Sequence, residues 1–235
     1  MKILAIVGAR PQFIKHFSFE KACLNKLELK TIHTGQHYDA NMSDVFFNQL
    51  GMEEPHFMLH IGSGNHGVQT ARMMVEIENI FEKEKPDGVV VYGDTNSTLA
   101  GALVASKLHI PIFHIEAGLR SYNKEMPEEV NRVLTDHIAT CLFVPSAIAT
   151  QNLKKEGIVR GVYNVGDVMK DLVYHVKNNG LISERAIKES YYYVTLHRPY
   201  NTDDKERLSY VLDSLNSLSV KFNLSIFFSS NKCFS

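Results

Sequence analysis

The chain has 235 residues, 44% of them hydrophobic and 22% charged, with a formal net charge of −1. That length allows one large domain, or one domain with part of another, and the composition is that of an ordinary globular protein. The near-zero charge argues against a nucleic-acid-binding surface, and no run of 18 apolar residues is present to cross a membrane.

Lys2 to Ala9 reads as a buried strand, because a continuous apolar run suits a parallel strand covered on both faces. Arg10 and Pro11 interrupt it too early for a secretory signal. Pro11 suits a first helical position, and a helix is expected to about Leu24. Lys26 to Thr34 is a second strand, and Ser43-Asp44 caps a short helix ending at Gly51. GSGNHG at 62–67 is a loop, followed by a helix from Val68 to Glu84. Then come a strand (88–92), a helix (96–108), a strand (110–115), a helix (127–138), a strand (141–144), a helix (146–157) and a short strand (162–165). Strictly alternating units of this kind imply βαβ crossovers and a mostly parallel sheet. Asp167 to Lys177 reads as a connecting helix. Tyr191 to Leu196 opens a new unit, with a helix over 203–221 and a strand over 224–228.

Chemistry-bearing residues gather where strands end. In Gly8-Ala9-Arg10-Pro11-Gln12-Phe13-Ile14-Lys15, two cations span the first turn of a helix, whose free amide groups favour an anion; an ordinary solvated βα turn is the competing reading. The turn has neither GxGxxG nor GKS/T, so it is no dinucleotide or P-loop fingerprint. Asp94 follows the strand 88–92 directly, either as a helix cap or as a carboxylate at the mouth of the sheet. Glu116 ends the strand 110–115; Glu is a poor cap, and burying it unpaired is costly, so Arg120 is a candidate structural partner. His114 lies inside the strand and reads as a satisfied core histidine. Glu128 and Glu129 follow Pro127, where acids suit a helix dipole. His197 and Arg198 end the strand YYYVTL and suit a phosphate or a proton-transfer role, with an exposed loop pair as the alternative. No histidine spacing suggests a metal site, no GxSxG is present, and Cys23, Cys141 and Cys233 form no CxxC pair. Reduced thiols and a cytoplasmic location are therefore expected.

Taken in order, the runs GARPQFIK, HTGQHYD, VYGDTNSTLAG, HIEAGLRS, MPEEVNRVLTDH, LFVPS, YNVGDVMKD and VTLHRP resemble the non-hydrolysing UDP-N-acetylglucosamine 2-epimerases. The resemblance covers Met1 to about Leu215. It implies an α/β chain: a Rossmann-like parallel-sheet domain of GT-B type over 1–166, a connecting segment over 167–190, and an incomplete second α/β domain, the start of a UDP-binding domain, over 191–235. It also implies an isomerase that interconverts the C2 epimers of a UDP-N-acetylhexosamine without cofactor or metal, in cell-surface polysaccharide precursor synthesis. UDP leaves C1 as the C2 proton is removed, giving a bound 2-acetamidoglucal, and adds back after reprotonation from the other face. Asp94, Glu116 and Glu128 match the family's catalytic acids, and Arg10, Lys15 and His197 its charged active-site groups, with His197 expected among the catalytic residues. Arg132 and Arg198 are expected to bind substrate, and Gln36 and His37 to lie where part of the family binds an activating UDP-sugar. Members commonly pair through the first domain, so a homodimer is expected. The wording of GARPQFIK and GDVM is nearer a subgroup that includes epimerases of UDP-diacetamido-glucuronic acid.

Two departures stand out. Pro199-Tyr200 replaces an acid that usually follows the His-Arg pair. Beyond Ile226 the expected His-Pro-Arg segment and further βα units do not follow, so the second domain is expected to be truncated and activity impaired. Two competing readings share the ligand class: a GT-B glycosyltransferase, which does not need the three acids, and a non-catalytic UDP-sugar-binding fragment.

Overall fold

Seven strands of the computed structural model lie side by side in one parallel sheet, in the order β3-β2-β1-β4-β5-β6-β7. The structure describes residues 1–36, 50–181, 190–196 and 199–230. The strands are β1 (Lys2–Val7), β2 (Glu28–His33), β3 (Phe57–Met58), β4 (Gly88–Tyr92), β5 (Ile112–Ile115), β6 (Cys141–Val144) and β7 (Val162–Asn164). Between them run α1 (Arg10–Cys23), α2 (His66–Glu84), α3 (Asn96–Lys107), α4 (Pro127–Ile138) and α5 (Ala147–Lys155), with α6 (Val168–Asn178) after β7. The chain divides into two units, Met1–Leu181 and Ile182–Ser235.

The central strands are apolar on both sides because helices cover both faces of the sheet. Ile3, Ala5 and Val7 of β1, with Val90 and Tyr92 of β4, pack under Phe13 and Phe17 of α1. The alternate residues Leu4, Ile6, Val89 and Val91 face Met73, Ile77 and Phe81 of α2 and the small residues of α3. All of these are buried, and burial of such side chains contributes roughly 1.5–3 kcal/mol each. Leu142, Val144, Ala149 and Leu153 form a third cluster toward β7. The helix expected as a connector, α6, packs on α1: Val168 and Leu172 join the α1-side core, and the His175 ring meets Phe17 edge-on at 4.9 Å.

The sheet order reverses at β1. Strands β2 and β3 extend to one side of it, and β4 to β7 to the other. In open parallel sheets a crevice forms outside the carboxyl ends of the strands at such a reversal. Here that places the ends of β1, β4 and β5 together.

The second unit is described by itself. Strands β8 (Tyr191–Leu196) and β9 (Ser225–Ser230) pair in parallel, joined through α7 (Pro199–Thr202) and α8 (Lys205–Phe222). Asp204 caps α8 by accepting from the amides of Glu206 and Arg207, and Asn223 ends it in the left-handed conformation. Tyr191, Tyr192 and Tyr193 are exposed.

Two elements were not foreseen: β3, only two residues long, and α7, a single turn. The helix read from Ser43-Asp44 lies outside the described residues.

Candidate active site

At the end of β1, the chain turns into α1 through a backbone held by the Gln12 side chain. The Gln12 side-chain oxygen accepts from the amides of Gly8 and Ala9 at 2.8 and 3.1 Å. Its amide group donates to the Tyr92 carbonyl at 2.8 Å and to the Thr98 hydroxyl at 3.0 Å, tying β1 to β4 and α3. The amides of Gly8 and Ala9 are thus already occupied. The positive charge at this corner comes from side chains: Arg10 is exposed, and Lys15 is buried, one turn in, with its ammonium on Glu116.

At the end of β4, Gly93 adopts φ +61°, and a side chain there would meet the Glu116 carboxylate at 3.0 Å and the Lys15 ammonium at 3.2 Å. Asp94 does not cap α3; Thr95 does, accepting from the Thr98 amide at 3.3 Å. The Asp94 carboxylate pairs instead with the Arg132 guanidinium from α4. Asn131 steadies the same turn by donating to the Asp94 carbonyl at 3.0 Å and to the Asn96 side chain at 3.1 Å.

At the end of β5, Glu116 has φ +69°, a left-handed conformation that L-residues with a side chain rarely adopt. Its partner is Lys15, not Arg120. Arg120 is committed elsewhere, to Asp136 at 2.7 Å and in a two-point pair to Glu156 at 2.7 and 2.6 Å. His114 is a satisfied core histidine, wholly buried, with Nδ1 2.7 Å from Asp136 and Nε2 2.8 Å from the Gly93 carbonyl. Asp136 also accepts from the Gly118 amide at 3.0 Å. Burial pushes the Asp136 carboxyl up, but His114 and Arg120 outweigh this and hold it below the usual aspartate value.

The structure thus brings Lys15, Asp94, Glu116 and Arg132 to the carboxyl ends of adjacent strands, as two cation–carboxylate pairs. Glu128 stands on the first turn of α4, exposed, with no hydrogen bond or ion pair among the described residues. Its neighbour Glu129 is the structural acid. It accepts from the amides of Ser121 and Tyr122 at 2.9 Å each and from Arg132 at 2.8 Å. Burial would raise the Glu129 carboxyl, yet those donors hold it below its ordinary value. Gln36 is buried, and its side-chain oxygen accepts from the amide and hydroxyl of Ser97 at 3.2 and 2.7 Å. In this conformation that oxygen braces the start of α3. His37, His197 and Arg198 lie outside the described residues.

Gln12, Asn131 and Asp136 were not singled out from the sequence, and Glu129 was read only as an acid suited to the helix dipole. For Glu129 a local signal existed, since it precedes Arg132 by three residues, a spacing that faces both side chains the same way on a helix. Gln12 sits four residues after Gly8, within reach of the turn amides. Asp136 had no local signal, because its partners lie 16 to 22 residues away. Among the described residues, no group of three or more His, Cys, Asp or Glu could hold a metal ion, and no helix is long and apolar enough to cross a membrane.

Comparison with known proteins bears on this arrangement. Residues 21–232 match a family model described as UDP-N-acetylglucosamine 2-epimerase, extending past Leu215, where the motif resemblance ends. The chain is 52% identical over 94% of its length to a Pseudomonas aeruginosa UDP-2,3-diacetamido-2,3-dideoxy-D-glucuronate 2-epimerase, spanning 64% of that protein. It is 45% identical over 97% of its length to a Methanocaldococcus jannaschii UDP-N-acetylglucosamine 2-epimerase, spanning 65% of it. A crystal structure of the UDP-GlcNAc 2-epimerase of that organism, in complex with UDP-GlcNAc and UDP, superposes with a TM-score of 0.88 at 44% identity. That match covers 98% of this chain and 66% of the other. The Rossmann-like parallel sheet of GT-B type is therefore the fold of this chain, and a glycosyltransferase is not favoured. The match over nearly the whole chain, with two ion-paired carboxylates at the sheet reversal, makes it a member of the UDP-N-acetylglucosamine 2-epimerase family.

Proposed function

We propose that this chain carries the acid/base wall of a non-hydrolysing 2-epimerase acting on a UDP-2-acetamido sugar. The observation that carries the reading is the pair of carboxylates at the ends of adjacent strands, Asp94 with Arg132 and Glu116 with Lys15. Epimerisation at C2 needs a base on one face and an acid on the other, with cations for the departing diphosphate. One carboxylate takes the C2 proton. The C2–H electron pair forms the C1=C2 bond, and UDP leaves with the C1–O pair. A proton is then delivered to the opposite face of C2, and UDP returns to C1. Lys15 and Arg132 can each serve a carboxylate or a diphosphate, and Arg10 stands exposed at the same corner. Glu128, unpaired among the described residues, is the third acid of the proposed set.

The substrate class follows from the relatives. UDP-GlcNAc, interconverted with UDP-ManNAc, is the general choice. The Pseudomonas relative supports a UDP-2,3-diacetamido-glucuronate as the alternative sugar. Gln36 with His37, and His197 with Arg198, are proposed as further UDP-sugar contacts. The domain division at 166 and 190, cytoplasmic location, a homodimer and a role in polysaccharide precursor synthesis belong to the same proposal. The test is incubation of the chain with each UDP-sugar in deuterated water. Deuterium at C2 with one of them supports the reading. UDP-sugar binding in calorimetry with no C2 exchange would overturn it and leave a binding fragment.

A further inference from the structure

The buried cluster behind the two carboxylates is wired to both. Asp136 sends one oxygen to His114 and the other to the Gly118 amide and Arg120. The far side of the His114 ring meets the carbonyl of Gly93, the residue before Asp94. Gly118 lies two residues after Glu116, in the same turn, where both are held at positive φ. One carboxylate therefore references the ends of β4 and β5 to each other.

The proton count of this chain of contacts is fixed by its partners. A peptide carbonyl can only accept, and an ionised carboxylate can only accept. Asp136 is ionised, because its second oxygen already takes two donors, one of them a guanidinium. Both His114 nitrogens must then donate, so the ring carries two protons. Asp136 and Glu156 balance His114 and Arg120, giving four charges that neutralise one another. A buried network of this kind is costly to leave partly satisfied and rigid when complete.

We propose that Asp136 is a positioning residue for the epimerisation proposed above, on which this inference rests: through a doubly protonated His114 it fixes the peptide before Asp94, and through the Gly118 amide it fixes the turn that carries Glu116. Neither group touches substrate. Their work is to hold the spacing of the two carboxylates, and a misplacement of about 1 Å is enough to cost about 100-fold in rate.

The test has two arms on the 235-residue chain. In the first, nitrogen-15 NMR of labelled histidine reads the His114 ring. Two protonated ring nitrogens, as the two acceptors on the ring require, are expected in the parent and lost in Asp136→Asn. In the second, C2 deuterium incorporation into UDP-GlcNAc is measured for Asp136→Asn and Glu156→Gln. The first variant is expected to lose about 100-fold in kcat with KM within about twofold. Glu156→Gln loosens Arg120 from its half-buried end without touching either turn, and should keep the parent kcat within about twofold. A singly protonated ring in the parent, equal losses in the two variants, or parental kcat in Asp136→Asn overturns the proposal. If Asp136→Asn does not fold, His114→Gln replaces it with the same expected loss. If the parent incorporates no deuterium, the epimerase reading fails by itself, and the ring measurement decides whether the network is as described.

Discussion

The Lys15 ammonium sits on the Glu116 carboxylate, joining α1 to the end of β5 across 101 residues of sequence. The Lys15 side chain is only 9% exposed and that of Glu116 24% exposed. Replacing Lys15 by Met leaves a half-buried carboxylate without its cation. Because Glu116 retains some access to water, the cost is expected near the lower end of about 1–3 kcal/mol. Urea unfolding of Lys15→Met should show this loss, with C2 exchange abolished under the proposed mechanism. Parental stability would mean that the pair is not formed in solution.

Gly93 lies between the two carboxylate turns and adopts φ +61°. Gly93→Ala adds a methyl group 3.0 Å from the Glu116 carboxylate and 3.2 Å from the Lys15 ammonium. The backbone penalty alone is about 1–2 kcal/mol, and the new carbon must push the ion pair aside. We expect a lower thermal midpoint and a loss of exchange greater than the loss of stability explains. A variant with parental rates would show that the pair can move without consequence.

Glu128 and Glu129 are adjacent yet should respond in opposite ways. Glu129→Gln removes the charge that gathers two loop amides and Arg132, and should destabilise the protein by about 1–3 kcal/mol. Glu128→Gln alters an exposed side chain and should change stability by less than about 0.5 kcal/mol. Under the proposed function Glu128→Gln nonetheless slows C2 exchange. Unfolding curves and exchange rates measured on both variants separate the roles, and the reverse pattern would exchange them.

Much of the first unit was legible because its signals are local. The apolar run of β1, the punctuation at Pro86 and Gly88, and Pro127 at the start of α4 each fix an element without reference to the rest of the chain. β3 was not legible, since its two residues pair only with Ile32 and His33 and carry no alternation. The candidate site was legible by position: Asp94 and Glu116 end strands, and strand ends of a parallel sheet converge. Their partners were not. Arg120, four residues from Glu116, was the natural candidate for it by proximity. The fold instead turns Arg120 toward Asp136 and brings Lys15 from the first helix. Sequence spacing reports neighbours along a helix or strand, whereas these pairs depend on how β1, β4 and β5 lie in the sheet.

Acid sensitivity is expected from the far side of the β1 layer. His16 is buried, with Nδ1 2.8 Å from the Tyr92 hydroxyl and Nε2 2.9 Å from the Thr31 hydroxyl. Hydroxyls can donate or accept, so a neutral ring is fully satisfied, and burial lowers its pKa to about 3. Glu20, 3.6 Å away, is a poor counter-ion because burial raises its own carboxyl. His33 is lowered to about 4, by burial first and then by the charge of His60. Both bases have folded values below the unfolded value of 6.5, so the unfolded chain binds more protons through the interval between. Stability is therefore complete above about pH 6.5 and falls as pH drops, by up to about 1.4 kcal/mol per pH unit for each group. Urea midpoints measured from neutral pH down toward pH 4 should decline with that slope. His16→Gln should start less stable at neutral pH, because one hydroxyl loses its partner, and then decline about half as steeply. A decline as steep as the parent's would show that His16 does not take up its proton on unfolding.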